Sequence, residues 1–322
     1  MGRILDVGWV PEVERPSASG TAGFGPVSFG AVVLLLLLVA AAVWVARHPR
    51  LGQTLWARVR DAPWVRRVWE APVVRRAWAW SREQVKGKGY GVAGILLLVQ
   101  LIVVMALAEG FTEVLDDVLE GDGIAGIDRP AAEWLGTNRD LWLTKALLIV
   151  TSVGGPAGLA VMTVVISSVV ALWRRSWLPI VLALAGAIGI LLVVLTAKVL
   201  VVRERPPIPF AVITEKGFSF PSGHAAGTAA VVLLSAWLLT RYLIKRWIPQ
   251  VLVWTVAIGL TGAVGLSRIY LGVHYVSDVV GGWFLGAAWA GGVILVGSWW
   301  ERFGRGRGLL GDPGRRVHSD EA

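Results

Sequence analysis

The sequence contains no cysteine, which excludes disulfide staples, thiolate metal centres and thiol nucleophiles. Charge is scarce too: 16% of the 322 residues are Asp, Glu, Lys or Arg, whereas 55% are hydrophobic and the mean hydropathy is +0.65. A chain this apolar cannot keep a globular surface wet, so it belongs in a lipid bilayer. Histidine is rarer still. Only His48, His224, His274 and His318 are present, so any imidazole chemistry must be sought at four positions.

Long uncharged runs fill the rest. About 20 helical residues cover the ~30 Å hydrocarbon core, and seven stretches qualify, near 29–46, 91–108, 153–173, 177–197, 223–240, 247–266 and 279–300. The expected fold class is all-α, a polytopic membrane helical bundle. Residues 29–46 form an N-terminal transmembrane helix, and 91–300 form the main membrane domain. The apolar run from 146 to 173 is interrupted by Gly154-Gly155-Pro156, which predicts a short surface or re-entrant helix feeding the third span.

A formal charge of +9 invites a nucleic-acid reading, but its distribution argues against one. Residues 47–88 hold 11 Lys or Arg against three acids, while 109–140 hold nine acids against Arg129 and Arg139. Such asymmetry across an apolar span is the signature of the positive-inside rule. With 47–88 in the cytoplasm, Arg174-Arg175, Arg241 with Lys245-Arg246, and the Arg-rich tail after 301 also fall inside. Residues 1–28 then form a disordered external tail and 301–322 a disordered cytoplasmic one. More acid (Asp6, Glu12, Glu14) than base (Arg3, Arg15) precedes the first span, the wrong charge for a signal peptide, so that span reads as a retained anchor.

Within the cytoplasmic segment 47–90, the stretch 55–80 interleaves Trp56, Trp64, Trp69, Trp78 and Trp80 with six arginines. Tryptophan prefers the headgroup region and arginine pairs with anionic lipid, so this stretch is expected to lie on the cytoplasmic membrane surface. An ordinary basic loop with scattered aromatics is the alternative. Inside the spans, Gly282 and Gly286, and Ala183, Gly186 and Gly189, recur at the spacing that lets helices approach closely in lipid.

Three polar clusters interrupt the apolar pattern. Lys198 is followed by Arg205-Pro206; Pro221-Ser222-Gly223-His224 opens the fifth apolar run; Ser267-Arg268 is followed by His274 and Asp278. The 15 residues between Arg205 and Pro221 are too few to cross the membrane and return, so the first two clusters share a side. The 42 between His224 and Ser267 allow two spans and a turn, which bring the chain back to that side. All three therefore meet at one membrane face, the external one by the charge bias.

Each cluster has a bland reading: a snorkelling Lys198, a loop Arg205, a turn histidine at 224, an i,i+4 surface pair for His274 and Asp278. Arg203 and Glu204 can simply pair with each other. Together, however, they supply what phosphoryl chemistry needs. Guanidinium groups grip phosphate oxygens bidentately and an ammonium adds a point charge. A helix start at Ser222-Gly223 offers free backbone N–H groups to an anion. His274 and Asp278, four apart, are expected to share a face of a helix entering the membrane, so Asp278 can fix the His274 tautomer and leave the other ring nitrogen as nucleophile or base. His48 and His318 fall on the opposite face.

The order and spacing of these clusters resemble the type-2 phosphatidic acid phosphatase family, also called lipid phosphate phosphatases, over roughly 91–300. The resemblance implies a six-helix phosphatase core, with the N-terminal helix as an addition. It implies that His274 attacks phosphorus to form a phosphohistidine, that Asp278 supports it, and that His224 protonates the leaving oxygen and later acts as base. Lys198, Arg205, Ser222, Gly223 and Arg268 are implied to hold the phosphate oxygens, with no metal and no cofactor. A lipid phosphate or pyrophosphate in the cell membrane is the expected substrate, and no nucleic acid is expected. A phosphotransferase with a non-water acceptor, a vanadate-dependent haloperoxidase, or a non-catalytic phosphate-binding membrane protein or transporter are the rival readings. The acidic stretch 109–140 is expected to solvate a loop, with cation binding as its alternative.

Overall fold

The computed structural model describes residues 25–51, 54, 90–207 and 211–303. The Trp/Arg stretch 55–80 and most of both tails lie outside the described residues. Those described form nine α-helices and no strands: α1 (Pro26–Arg47), α2 (Tyr90–Glu120), α3 (Asp128–Thr137), α4 (Leu141–Val153), α5 (Pro156–Arg174), α6 (Leu178–Val201), α7 (Gly223–Leu238), α8 (Trp247–Tyr270) and α9 (Val276–Phe303). All but α3 and α4 are long and apolar enough to cross a membrane, and this is a multi-pass membrane protein. Span boundaries differ from the hydropathy reading mainly at α2, which continues to Glu120, and at α6, which continues past Lys198 to Val201.

Proline and glycine set the helix starts. Pro26, Pro156 and Pro179 each occupy the first turn of their helix, where the missing N–H would have no intrahelical partner. At the other end of α6, Val202 adopts a left-handed φ of 53°, which costs a β-branched residue roughly 1–2 kcal/mol. This turn sends Arg203 and Arg205 back across the end of the bundle.

α7 is the hub. Small residues dominate it, and Ala225, Ala226, Ala229 and Ala230 are all buried. Helices in lipid gain nothing from hiding apolar surface, so close backbone approach must hold them together. The α7–α9 seam shows how: a Cβ on Gly282 would sit 2.9 Å from the Ser222 carbonyl oxygen, and one on Gly286 would overlap the Ala226 carbonyl oxygen. α9 also packs extensively on α2. Leucine at Gly286 should therefore lower the thermal midpoint in detergent, with an overpacking cost of about 1–3 kcal/mol or more. Leucine at Gly292, where a Cβ meets nothing within 4 Å, should leave it unchanged. Equal midpoints for the two variants would contradict the seam.

α1 leans on α8. Ser28 donates to the buried Asp140 carboxylate at one end, and Trp247 donates to the Ala46 carbonyl, 3.2 Å, at the other. The break at 154–156 separates α4 from α5 as the sequence predicts, but α4 is more than a connector. It lies along the end of α8, with Asp140 at its start bonded to the Tyr270 hydroxyl and Thr151 near its end bonded to Arg268.

Candidate active site

The end of α6, residues 202–207 and 211–222, the starts of α7 and α9 and the end of α8 converge at one end of the bundle. Every residue proposed from the motifs lies there. His274 sits in the turn between α8 and α9 and is 2% exposed. Its Nδ1 lies 3.2 Å from Asp278 Oδ2. The expectation that the two share a helical face needs correction, because α9 begins only at Val276. Asp278 stands in the first turn of α9 and reaches back to the backbone N–H of Tyr275, 2.9 Å. That is the reciprocal half of a capping box, and it is what brings the carboxylate to the imidazole.

Asp278 is fully buried, and its oxygens are saturated with donors. Oδ2 accepts from Ser219 Oγ, the Tyr275 N–H and the His274 ring, while Oδ1 accepts from Arg203 Nη1 at 2.7 Å. A carboxylate so supplied stays ionised and holds the proton on His274 Nδ1. Burial, against the opposing pull of Asp278, pushes the His274 pKa down to about 4. The ring is thus neutral around pH 7, with its Nε2 lone pair facing Arg205 Nη1 at 3.2 Å.

Arg203 was not among the candidates, and the pairing expected with Glu204 does not occur. Glu204 is exposed, because neighbouring residues in this irregular segment diverge. Arg203 instead bridges Asp278 and Asp128, 2.7 Å to each, and its guanidinium lies 4.6 Å from the Tyr275 ring centroid. Burial works against the charge, but Asp278 and Asp128 together hold the Arg203 pKa above its usual value. Asp128 also accepts from the Ser277 N–H, 2.9 Å, and from its hydroxyl. Asp128 and Asp140, both within the acidic stretch 109–140, are therefore buried structure and not loop solvation.

The cations surround this core. Arg205 donates through Nε to the Gly217 carbonyl at 2.9 Å and through Nη1 to the Val273 carbonyl at 2.7 Å. Lys198 donates to the Phe218 carbonyl and, at 3.3 Å, to that of Ser219. Arg268, 1% exposed, donates from Nη1 to Thr151 at 2.8 Å and pairs through Nη2 with Glu215. His224, the second residue of α7, is within electrostatic reach of Arg268, Glu215, His274 and Arg205.

Ser222 and Gly223 form the start of α7. The Ser222 hydroxyl caps α7 by accepting from the Ala225 N–H at 3.5 Å, and its own N–H donates to the Asp278 carbonyl at 2.9 Å. A Cβ on Gly223 would meet only Val194, at an ordinary 3.6 Å. Ser219, Glu215, Asp128 and Ser277 all join the site without having been singled out. Arg203, in Arg-x-Arg-Pro, stood out as an external cation beside the clusters but was given no site role.

Beside His224 an apolar crevice of about 320 Å³ opens between α5, α6 and α7. Leu159, Ile190, Leu191 and Val194 are among its walls, and Leu191 is 56% exposed on the outer surface of the bundle. The arrangement joins two imidazoles and three cations to an oily slot.

Residues 176–302 match the family model described as PAP2 superfamily. The chain is 34% identical over 149 residues to phosphatidylglycerophosphatase B of Bacillus subtilis, covering 46% of this chain and 72% of that protein. It is 39% identical over 132 residues to decaprenylphosphoryl-5-phosphoribose phosphatase of Mycobacterium tuberculosis, covering 40% of this chain and 66% of that one. The crystal structure of a transmembrane PAP2 type phosphatidylglycerolphosphate phosphatase from Bacillus subtilis superposes with a TM-score of 0.54 at 28% identity, over 58% of this chain and 94% of that one.

Proposed function

The chain belongs to the PAP2 superfamily and is a membrane phosphatase, and on that premise we propose that it hydrolyses a lipid phosphate or pyrophosphate through a phosphohistidine at His274, at the extracytoplasmic face of the cell membrane. The observation that carries this reading is the His274 ring itself: Nδ1 tied to Asp278 at 3.2 Å and Nε2 turned to a guanidinium. A phosphate held by that guanidinium lies against the ring nitrogen.

Nε2 forms a bond to phosphorus as the bond to the leaving oxygen breaks, and His224 delivers the proton to that oxygen. Water then attacks phosphorus, gives its proton to His224, and frees Nε2 as inorganic phosphate departs. Phosphoryl transfer asks chiefly for position and for charge on the equatorial oxygens. A cation about 4 Å away contributes ~4 kcal/mol at an effective dielectric near 20, before desolvation offsets part of it. Lys198, Arg205 and Arg268 therefore supply stabilisation of the size that a bound metal would provide. Ser222 and the Gly223 amide remain proposed phosphate contacts.

The crevice beside His224 favours a lipid over a soluble ester. An acyl or prenyl tail can stay between α5, α6 and α7, open to the bilayer, while the phosphate enters the polar end. The relatives named above act, by their names, on phosphates of quite different lipids, so the shared requirement is a tailed phosphate rather than one headgroup. The positive-inside bias places this end of the bundle outside the cytoplasm. The Trp/Arg stretch 55–80 is proposed to rest on the anionic inner leaflet.

The test is phosphate release by the purified protein from phosphatidate, phosphatidylglycerophosphate and a polyprenyl pyrophosphate, with and without EDTA. Release from at least one of them, unchanged by chelator, is expected; a strict need for added divalent metal would overturn the three-cation account. Because the His274 pKa is pushed down to about 4, its neutral form persists as pH falls from 7 to ~5. Phosphoenzyme formation in a rapid-quench experiment should therefore not decline over that interval through protonation of the nucleophile.

A further inference from the structure

Glu215 lies in the loop between the first two motif clusters, and no step of the mechanism uses it. Its carboxylate sits inside the cation ring. Oε1 accepts from Arg268 Nη2, and Oε2 lies 3.5 Å from Arg205 Nη2. His224, His274 and Lys198 are within its electrostatic reach. One carboxylate thus touches both guanidiniums assigned to phosphate and acts on both catalytic imidazoles.

The pairing is incomplete in an informative way. Arg268 is 1% exposed, and its buried Nε has no hydrogen-bond acceptor among the described residues. The Nε and Nη2 hydrogens form the edge of a guanidinium that grips an oxyanion with two parallel bonds. Glu215 occupies half of that edge. A phosphate with three free oxygens fits both halves and still reaches Arg205.

We propose that the Glu215 carboxylate is an internal surrogate for the substrate's phosphate: it pairs Arg205 and Arg268 in the resting enzyme, yields to the incoming phosphate, and competes with inorganic phosphate to speed its release. This rests on the assignment of Arg205 and Arg268 as phosphate ligands. Room for the exchange exists, since the Glu215 side chain is 27% exposed while Arg268 is fixed. The segment carrying it has no regular secondary structure, and Gly217, two residues on, takes a φ of 81° that favours glycine. No covalent step is involved; one anion replaces another on the same donors.

The experiment measures inorganic phosphate binding by isothermal titration, and its Ki against lipid phosphate hydrolysis, for the wild type, Glu215→Gln, Glu215→Ala and Glu215→Asp. Removing the competing charge should tighten phosphate binding roughly tenfold in both the Gln and Ala variants, while Asp stays within about threefold of wild type. KM should fall with Ki, and kcat should hold or drop as product release slows. If Gln and Ala bind phosphate no more tightly than wild type, the surrogate role is wrong; a fall in kcat with weakened phosphate binding would instead make Glu215 a prop for the arginines. Titration does not require turnover. Tighter binding in Gln and Ala without any hydrolysis by the wild type would keep the surrogate role and remove the phosphatase reading, whereas a wild type that binds no phosphate would remove the phosphate site and the surrogate role with it.

Discussion

His274→Ala should abolish turnover, with kcat reduced by at least about 10⁴-fold, while phosphate binding changes little. In the proposed mechanism the His274 ring nitrogen makes the covalent attack, and deleting a covalent nucleophile removes the step that the rest of the machinery serves. Lys198 and Arg268 take their positions from groups other than the imidazole, the carbonyl oxygens of Phe218 and Ser219 and the Thr151 hydroxyl, and Arg205 loses its contact with Nε2 but keeps the Gly217 and Val273 carbonyls. The anion cradle therefore survives the substitution. The wild type should trap an acid-labile phosphoenzyme in rapid-quench labelling with radioactive substrate, and the variant none. Substantial hydrolysis by a folded His274→Ala protein would remove the nucleophile assignment.

Asp278→Asn should cost nearly as much, roughly 10³–10⁴-fold in kcat, the range seen where an aspartate that fixes a catalytic imidazole is amidated. The reason lies in the donor inventory. Ser219, Tyr275, His274 and Arg203 all donate to this carboxylate, and an amide offers one acceptor oxygen against an NH₂ that can only donate. If the NH₂ faces His274, the ring must move its proton to Nε2 and loses the lone pair that attacks phosphorus. Orienting the amide the other way sets the NH₂ against Arg203. Phosphate binding should stay within a few-fold of wild type, and the thermal midpoint should fall, because a buried network loses at least one of its matches. A variant within tenfold of wild-type kcat would show that Asp278 does not control the tautomer.

The bundle was legible because its signals are local. Seven apolar runs gave seven long helices, and the short loop from Arg205 to Pro221 together with the two-span interval to Ser267 forced the three clusters to one end. The contact between His274 and Asp278 was also legible, though its cause was not: spacing of four suggested a helix face, whereas the pair spans a turn and the first turn of α9. What escaped depends on where distant segments cross. Asp128 reaches Arg203 across 75 positions of chain, and Glu215 reaches Arg268 across 53. Neither carboxylate differs, in sequence, from any other acid in a polar loop. Likewise, α4 reads as a generic short apolar helix until Thr151 is seen holding Arg268.

The glycine seam between α7 and α9 bears on how such an enzyme tolerates its solvent. His224 is carried by one of these helices, and Asp278, with His274 one turn ahead of it, by the other. Backbone against backbone leaves no long side chains to slacken or repack, so the two helices move as one body. When local bilayer thickness changes, a spanning bundle answers mainly by tilting. Tilting alters the depth at which a lipid meets the mouth of the crevice, but it leaves the separation of His224 and His274 untouched. Membrane composition should therefore govern capture of substrate, while the chemical step proceeds at the same pace in thin and thick bilayers.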